Sequence, residues 1–381
     1  MSITQPSEED TEHTRVITSH TAPVAKTSAG DMAHYIVVVG GAERGKKIEI
    51  GLAPIRLGRG ADSDFRLSDA FVSTHHCTVG FEEGQIWVTD TGSTNGSFIE
   101  GERVRGRVVW PISTSVQIGE QILRHEYRRR VDMQDADDLA KDLRHAANYV
   151  QTLLPAPLPT GPVLTAWQFQ PSTELGGDIF DYFWLDADRF VFYLLDVCGH
   201  GVGAALHSVS VFNLLRQKSL AGVDPASPAQ VMKALNEAFP MERYGSMYFT
   251  LWYGIYHLRQ QSLTFASAGH PPGLLFVEAD RRLFGLSTDN PPIGVEVNVQ
   301  FAENTTALHS GFRLYLFSDG VYEFRAKDGD CWGWAEFARY LGTRLGNGKG
   351  QPDAIFHDLR AKTESNRFDD DFSLLMLDFP R

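Results

Sequence analysis

At 381 residues, 43% hydrophobic and 22% charged, the chain is long enough for two or three globular domains, and no apolar run approaches the ~20 residues of a membrane helix. Its three cysteines (Cys77, Cys198, Cys331) are far apart and form no C-x-x-C pair, and its N-terminus lacks a secretory pattern, which favours a reducing cytoplasm, away from membranes, over a disulfide or zinc-thiolate framework. The net charge of −13 is uneven, with 2 basic against 5 acidic residues in 1–33, 13 against 12 in 34–130, and 20 against 31 in 131–381, an acidity that argues against nucleic acid as a partner and suits divalent cations.

Residues 1–33 are rich in Ser, Thr and charge and predict a disordered tail. Residues 34–130 read as short strands between Gly-, Asp- and Ser-rich turns: HYIVVV, KKIEI, APIRL, HCTVGF, QIWVTD, SFIEG, GRVVW and SVQIGEQILRHEY. Strands this short and close, without helical periodicity, predict an all-β sandwich.

Residues 131–155 form a helical linker that ends before Pro155. Ala136, Leu139, Leu143, Ala146, Val150 and Leu153 recur at alternating intervals of 3 and 4. One reading is an amphipathic helix packed on a neighbouring domain, and the other is a linker that pairs two copies of the chain.

Residues 156–381 mix strands (VLTAWQFQP, RFVFYLLDV, MYFTLWYGIYHL, LTFASAG, GLLFVE, RLYLFSD, SLLMLDF) with helices (ALHSVSVFNLLRQKSL, SPAQVMKALNEAF, WAEFARYLGTRL, PDAIFHDLRAKTE). Runs such as RLYLFS predict strands covered on both faces, and the irregular alternation predicts α+β layers rather than βαβ winding.

Carboxylates recur at the ends of these apolar runs: Asp178 and Asp181 in GGDIFD, Asp196 in LDVCGHG, Asp319 in FSDGV, and Asp369, Asp370 and Asp371 in FDDDFS. Strand ends gathered in one layer would bring Asp178, Asp196, Asp319 and Asp370 together. Such a cluster becomes favourable when divalent cations sit at its centre, and all-oxygen ligands select Mg²⁺ or Mn²⁺.

Two resemblances follow from motif order. Gly58-Arg59, Ser73-Thr74-His75-His76, Ser93-Thr94-Asn95-Gly96 and Gly101 together resemble a forkhead-associated (FHA) domain over about residues 35–125. That resemblance, with the fork geometry of a guanidinium, implies a phosphothreonine site at Arg59, Ser73 and Thr94. Asn95 would grip the peptide backbone, and His76 would prop the loop. Thr74 stands where many members have a basic residue or Asn. The tail residues Thr14, Thr18, Thr21 and Thr27 are candidate ligands in cis.

GGDxxD, DxxGHG, AGHPP, SDGVxE and DDxS, in that order over about residues 155–381, resemble the metal-dependent protein phosphatases of the type 2C (PPM) superfamily, in their bacterial sporulation and stress-response branch. This implies a C-terminal αββα sandwich. It also implies two Mn²⁺ or Mg²⁺ ions held by the side chains of Asp178, Asp196, Asp319 and Asp370 and by the carbonyl of Val197, with Asp181 and Asp371 orienting waters. His200 would act as the acid that protonates the leaving alcohol. The implied reaction is hydrolysis of phosphoserine or phosphothreonine by metal-bound water. The implied partners are a phosphorylated regulator such as an anti-sigma-factor antagonist, and a phosphothreonine protein or kinase at the FHA domain. The alternative is a phospho-dependent adaptor whose phosphatase fold is inactive. The run Gln168 to Leu175 has no basic residue where eukaryotic members hold the substrate phosphate with Arg.

Overall fold

The computed structural model describes residues 31–308 and 311–380. Most of the predicted tail, including Thr14, Thr18, Thr21 and Thr27, lies outside them; Met32 and Ala33, also assigned to that tail, open the first strand. The chain divides into two compact units between Asp138 and Leu139.

The first unit is the all-β sandwich the sequence predicts. Its strands are β1 (Met32–Gly40), β2 (Lys47–Ile50), β3 (Ile55–Gly58), β4 (Phe65–Arg66), β5 (Cys77–Glu82), β6 (Gln85–Asp90), β7 (Ser97–Ile99), β8 (Glu102–Arg103), β9 (Arg107–Val109), β10 (Ser115–Ile118) and β11 (Gln121–Arg129). One sheet runs β2-β1-β11-β10-β7-β8 and the other β4-β3-β5-β6-β9. Alternate residues of both sheets, among them Ile36, Val38, Leu57, Val79, Val88, Val116 and Leu123, are buried in one core with Trp110. The segment SVQIGEQILRHEY, read as one run, is a hairpin: Gly119 and Glu120 turn β10 back into β11. The two-residue strands β4 and β8 carry too little pattern to be read from sequence.

Helix α1 (Arg130–Leu153) follows. Within the first unit, Met133 packs on Ala33 and Tyr35, and Arg130 pairs with Glu49. Within the second, Val150, Leu143 and Ala147 pack on Leu175, Ala205 and Val209. The covered seam therefore uses Ala147 where the heptad reading placed Ala146, and Ala136, Leu139 and Ala146 are exposed. A straight helix has 3.6 residues per turn, so a strict 3–4 alternation drifts off the buried face.

The second unit contains β12 (Leu164–Gln170), β13 (Ile179–Trp184), β14 (Arg189–Val197), α2 (Val202–Arg216), α3 (Pro228–Ala238), β15 (Phe249–His257), β16 (Ser262–Ala268), β17 (Gly273–Val277), β18 (Arg282–Leu286), β19 (Asn304–Ala307), β20 (Phe312–Phe317), α4 (Trp334–Gly346), α5 (Pro352–Lys362) and β21 (Phe372–Phe379). Two antiparallel sheets form, β12-β21-β20-β17-β18 and β13-β14-β15-β16-β19.

Strand parity builds four layers from these elements. In β14, Phe190, Phe192 and Leu194 face the opposite sheet, where they meet Leu314 and Leu316 of β20 and Leu375 and Leu377 of β21. The intervening Val191, Tyr193, Leu195 and Val197 face Ala204, Val211 and Phe212 of α2 and Val231 and Leu235 of α3. On the far side Tyr315, Phe317, Leu374 and Met376 face Phe337 and Leu341 of α4 and Ile355 and Leu359 of α5. This is the αββα sandwich, and it explains why these strands read as continuous apolar runs. Among the described residues no helix is long and apolar enough to cross a membrane.

Candidate metal centre and phosphopeptide site

In the first unit the loops carrying the FHA-like motifs are tied to one another. His76, fully buried, accepts from Ser73 N through Nδ1 (3.1 Å), so its Nε2 carries the proton donated to Gly96 O (3.1 Å). Burial lowers the His76 pKa, which keeps the ring in that neutral form. Asp90 braces the second loop by accepting from Gly92 N, Ser93 N, Ser93 Oγ and Ser97 Oγ. Burial alone would raise its pKa, but these hydrogen bonds outweigh it and hold the carboxylate ionised.

This framework sets Ser73 Oγ beside Thr94, whose N–H donates to it at 3.0 Å. Arg59 is exposed, with Nε donating to Val72 O (3.2 Å) and its N–H to Ser73 O, so its remaining guanidinium donors border the same loops. Asn95 Nδ2 donates to Phe71 O (2.8 Å) and lines a groove of about 400 Å³ with Phe71, Phe98 and Glu120. Arg59, Ser73, Thr94 and Asn95 thus share one rim. Sequence reasoning missed Asp90; its signal was the D-x-x-S spacing to Ser93, which fits an Asx turn.

In the second unit the same parity that makes the layers delivers carboxylates to one end of the inter-sheet space. Asp196 continues the face of Phe192 and Leu194 at the end of β14, and Asp178 shares the parity of Phe180. Ser373 continues the face of Leu375 and Leu377, and its Oγ donates to Asp178 Oδ2 at 2.6 Å. Asp319 opens a single 3-10 turn directly after β20, and Asp370 and Asp371 lead into β21. Asp371 is buried and organises the entrance: Oδ1 accepts from Ser172 N (2.7 Å) and Oγ (2.9 Å), and Oδ2 accepts from Gly177 N (2.6 Å).

Two glycines permit this approach. A Cβ on Gly177 would lie 2.8 Å from Val197 O, and one on Gly320 would overlap the Asp371 carbonyl oxygen. The Val197 carbonyl is therefore flanked by the GGD loop.

The carboxylates sense one another. The Asp178 pKa is raised well above the usual carboxylate range, by burial first and then by Asp196 and Asp371. That of Asp196 is raised by burial, then by Asp319 and Asp370. Asp319 is pushed up to about 6 by burial, Asp370 and Glu323. Asp370 is exposed as a residue, yet partial burial of its carboxyl raises its pKa, with the Asp371 N–H and then His200 opposing. Two unit charges ~4 Å apart repel by roughly 4 kcal/mol at an effective dielectric of about 20, so this group cannot ionise fully without a counter-charge.

The residues fit a divalent cation. Asp178 Oδ1 is buried without a hydrogen-bond partner among the described residues, and the donors are carboxylate and carbonyl oxygens, the set hard cations take. Among the described residues no group of three or more His, Cys, Asp or Glu side chains is spaced to hold a metal ion as it stands.

Not every predicted residue joins the cluster. Asp181 has the parity of Ile179 and faces the helical layer, where Arg216 Nη1 of α2 holds both its oxygens at 2.9 Å. Burial outweighs the half-exposed Arg216 and raises its pKa to about 6. The structure therefore does not bring Asp181 to the other carboxylates, because a strand turns successive residues to opposite faces. Asp369, which is outside the predicted ligand set, is exposed; so are the predicted ligand Asp370 and His200, the latter in the turn between β14 and α2. Ser172, Ser318 and Ser373 are the polar partners that sequence reasoning passed over. Ser318 and Ser373 stood inside the SDG and DDxS motifs, but nothing local marked them as donors.

The four-layer sandwich with an acidic cluster between its sheets defines a phosphatase fold of the PP2C (PPM) class. The chain belongs to the stage II sporulation protein E (SpoIIE) family, whose profile matches residues 186–380, and it carries an FHA domain, matched over residues 55–119, fused in front of that phosphatase domain. It is 26% identical over 241 residues to the phosphoserine phosphatase RsbU of Bacillus subtilis (strain 168), covering 63% of this chain and 70% of that one. It is 38% identical over 87 residues to the FHA domain-containing protein FhaB of Mycobacterium tuberculosis (strain ATCC 25618 / H37Rv), covering 23% of this chain and 56% of that one. The SiaA-PP2C domain of Pseudomonas aeruginosa shares the fold at a TM-score of 0.56 and 20% identity, over 66% of this chain and 100% of that one.

Proposed function

We propose that residues 156–381 form a metal-dependent protein phosphatase acting on phosphoserine or phosphothreonine, that residues 34–130 form a domain that captures a phosphothreonine partner, and that residues 131–155 link them in a cytoplasmic enzyme. The observation that carries the catalytic reading is Asp178: a buried carboxylate with one unbonded oxygen, raised by Asp196 and Asp371.

Asp178, Asp196, Asp319 and Asp370, with the Val197 carbonyl, would hold two Mn²⁺ or Mg²⁺ ions. Bound there, the ions supply a water acidified for attack and a clamp on the phosphoryl oxygens. Asp371 fixes the Ser172 and Gly177 backbone and so holds the GGD loop against the cluster. His200 would protonate the leaving alkoxide. With no basic residue between Gln168 and Leu175, the phosphate depends on the metal ions for its charge neutralisation.

The substrate class is a phosphorylated regulator, such as an anti-sigma-factor antagonist in a partner-switching circuit. That reading draws on the likeness to RsbU. The FHA domain would recruit a phosphothreonine protein or kinase. Exposed Leu139 and Tyr149 leave α1 a face for a second copy of the chain; light scattering of the purified chain checks this, and a monomer at every concentration sinks it.

The decisive experiment is Mn²⁺-dependent hydrolysis of p-nitrophenyl phosphate. We expect activity that EDTA abolishes and that falls at least ~100-fold in Asp196→Asn and Asp319→Asn, since each removes a ligand charge. No hydrolysis by the wild-type chain at any Mn²⁺ concentration would leave the adaptor reading in its place.

A further inference from the structure

The loop that carries Ser172 forms one wall of a cleft of about 530 Å³. Helix α5 and the segment leading to Asp370 form the other wall, with Phe356 and Phe368 as an apolar lining and Arg360 and Arg367 at the polar rim. The cleft adjoins the carboxylate cluster through one side chain. Ser172 donates twice to Asp371, and Asp371 is among the groups that raise the Asp178 pKa.

Several arginines of this unit are held in ion pairs, whereas the two that line this cleft are not. Arg189 pairs with Asp186, Arg216 with Asp181, Arg313 with Glu278 and Asp378, and Arg344 with Asp358. Arg367 has no hydrogen-bond or ion-pair partner for its guanidinium among the described residues, and Arg360 donates only Nε to Asn366 O (3.0 Å) while lying over the Phe356 ring. Glu174 lines the cleft as well, so among the lining residues one carboxylate stands against two guanidiniums. Within residues 131–381, where 31 acidic residues outnumber 20 basic ones, two arginines without an ion pair on one cleft wall are a local concentration of positive charge.

We propose that this cleft binds an acidic segment flanking the phosphorylated residue of the protein substrate, with Arg360 and Arg367 gripping a carboxylate. The inference rests on the phosphatase reading and adds the substrate's local sequence to it. A guanidinium presents paired N–H donors that match a carboxylate in a planar fork, and Phe356 and Phe368 cover the apolar stem of such a side chain. Arg360 and Arg367 are then specificity determinants, acting on substrate binding rather than on the chemical step.

The test uses the full chain with Mn²⁺ and two phosphoserine peptides that differ only in flanking Asp and Glu residues against Asn and Gln. We expect kcat/KM to favour the acidic peptide by about tenfold, carried by KM, as one charge-assisted pair allows. The double variant Arg360→Gln/Arg367→Gln should lose that preference with an unchanged melting temperature, and Arg360→Lys/Arg367→Lys should recover part of it. Equal kcat/KM for the two peptides in the wild type, or a preference that survives in the double variant, overturns the proposal. Anisotropy of a labelled, unphosphorylated acidic peptide reads the cleft without turnover. Binding that the Gln variant loses, with neither phosphopeptide hydrolysed, would keep the cleft and sink the phosphatase reading; hydrolysis of both peptides at one rate would do the reverse.

Discussion

Asp178 gives one oxygen to Ser373 and leaves the other unbonded in a buried site. A carboxylate so placed either takes a proton or waits for a cation. Asp319 makes the consequence measurable. Its pKa, about 6 in the folded chain, stands above the ordinary 3.8, so the folded state binds more protons than the unfolded one. The stability this group contributes is full below about pH 4 and is lost as pH rises through about 6. In EDTA, Asp319→Asn should therefore melt higher than the wild type at pH 7.5, with the gap closing towards pH 4.5; saturating Mn²⁺ should reverse the order at pH 7.5. A variant that melts no higher than the wild type in EDTA at pH 7.5 would mean that Asp319 carries no such strain. His76 supports a second residue-level prediction. Its removal strands Ser73 N and Gly96 O inside the first unit. His76→Ala should cost about 1–3 kcal/mol by urea unfolding of that unit, and should weaken phosphothreonine-peptide binding because Ser73 and the Thr94 loop lose their shared brace.

Elements place these residues by alternation. β14 sends Phe192 and Leu194 into the inter-sheet layer and Tyr193 and Leu195 towards α2, so Asp196 arrives in the former without any local signal of its own. β13 applies the same rule with the opposite result for Asp181, which is carried to Arg216. The inter-sheet layer is held by stacked aromatics, with Trp252 between Phe192 at 5.8 Å and Phe265 at 5.4 Å between ring centroids. Trp252→Ala should destabilise the second unit by about 3–5 kcal/mol in denaturant titration, the cost of an unfilled aromatic site. A loss under 1 kcal/mol would mean that the two sheets do not depend on this contact. Gly320→Ala belongs to the same scale: the added methyl would force the start of β21 away from the 3-10 turn at Asp319, and Mn²⁺-dependent activity should fall with it.

At the scale of the whole chain, the proposed function puts two chemistries for one group, phosphate, on separate units. The FHA rim offers an arginine and hydroxyls, which suit holding a phosphorylated side chain; the second unit offers carboxylates, which suit cations that break a phosphate ester. The two should separate by mutation. Arg59→Ala should abolish phosphothreonine-peptide binding in calorimetry while p-nitrophenyl phosphate hydrolysis persists, and Asp196→Asn should do the opposite. Peptide affinity unchanged in Arg59→Ala would remove that residue from the rim.

The two fold classes, the order of the motifs and the identity of the acids were legible before folding, because apolar runs, turn residues and motif spacing are local properties that survive in one dimension. The sequence also showed that the run from Gln168 to Leu175, just before the GGD motif, has no basic residue. Strand direction, visible only in the folded chain, separates Asp181 from the acids that the motifs grouped. Asp178 and Asp181 stand three residues apart in one motif, yet a strand turns them to opposite faces, one to Ser373 and the other to Arg216. Nor could Arg360 and Arg367 be paired with the loop at Ser172 from sequence, since that cleft exists only where α5 and the segment entering β21 close against the loop after β12. Strand parity and long-range pairing set these positions, and neither is written in the neighbours of any single residue.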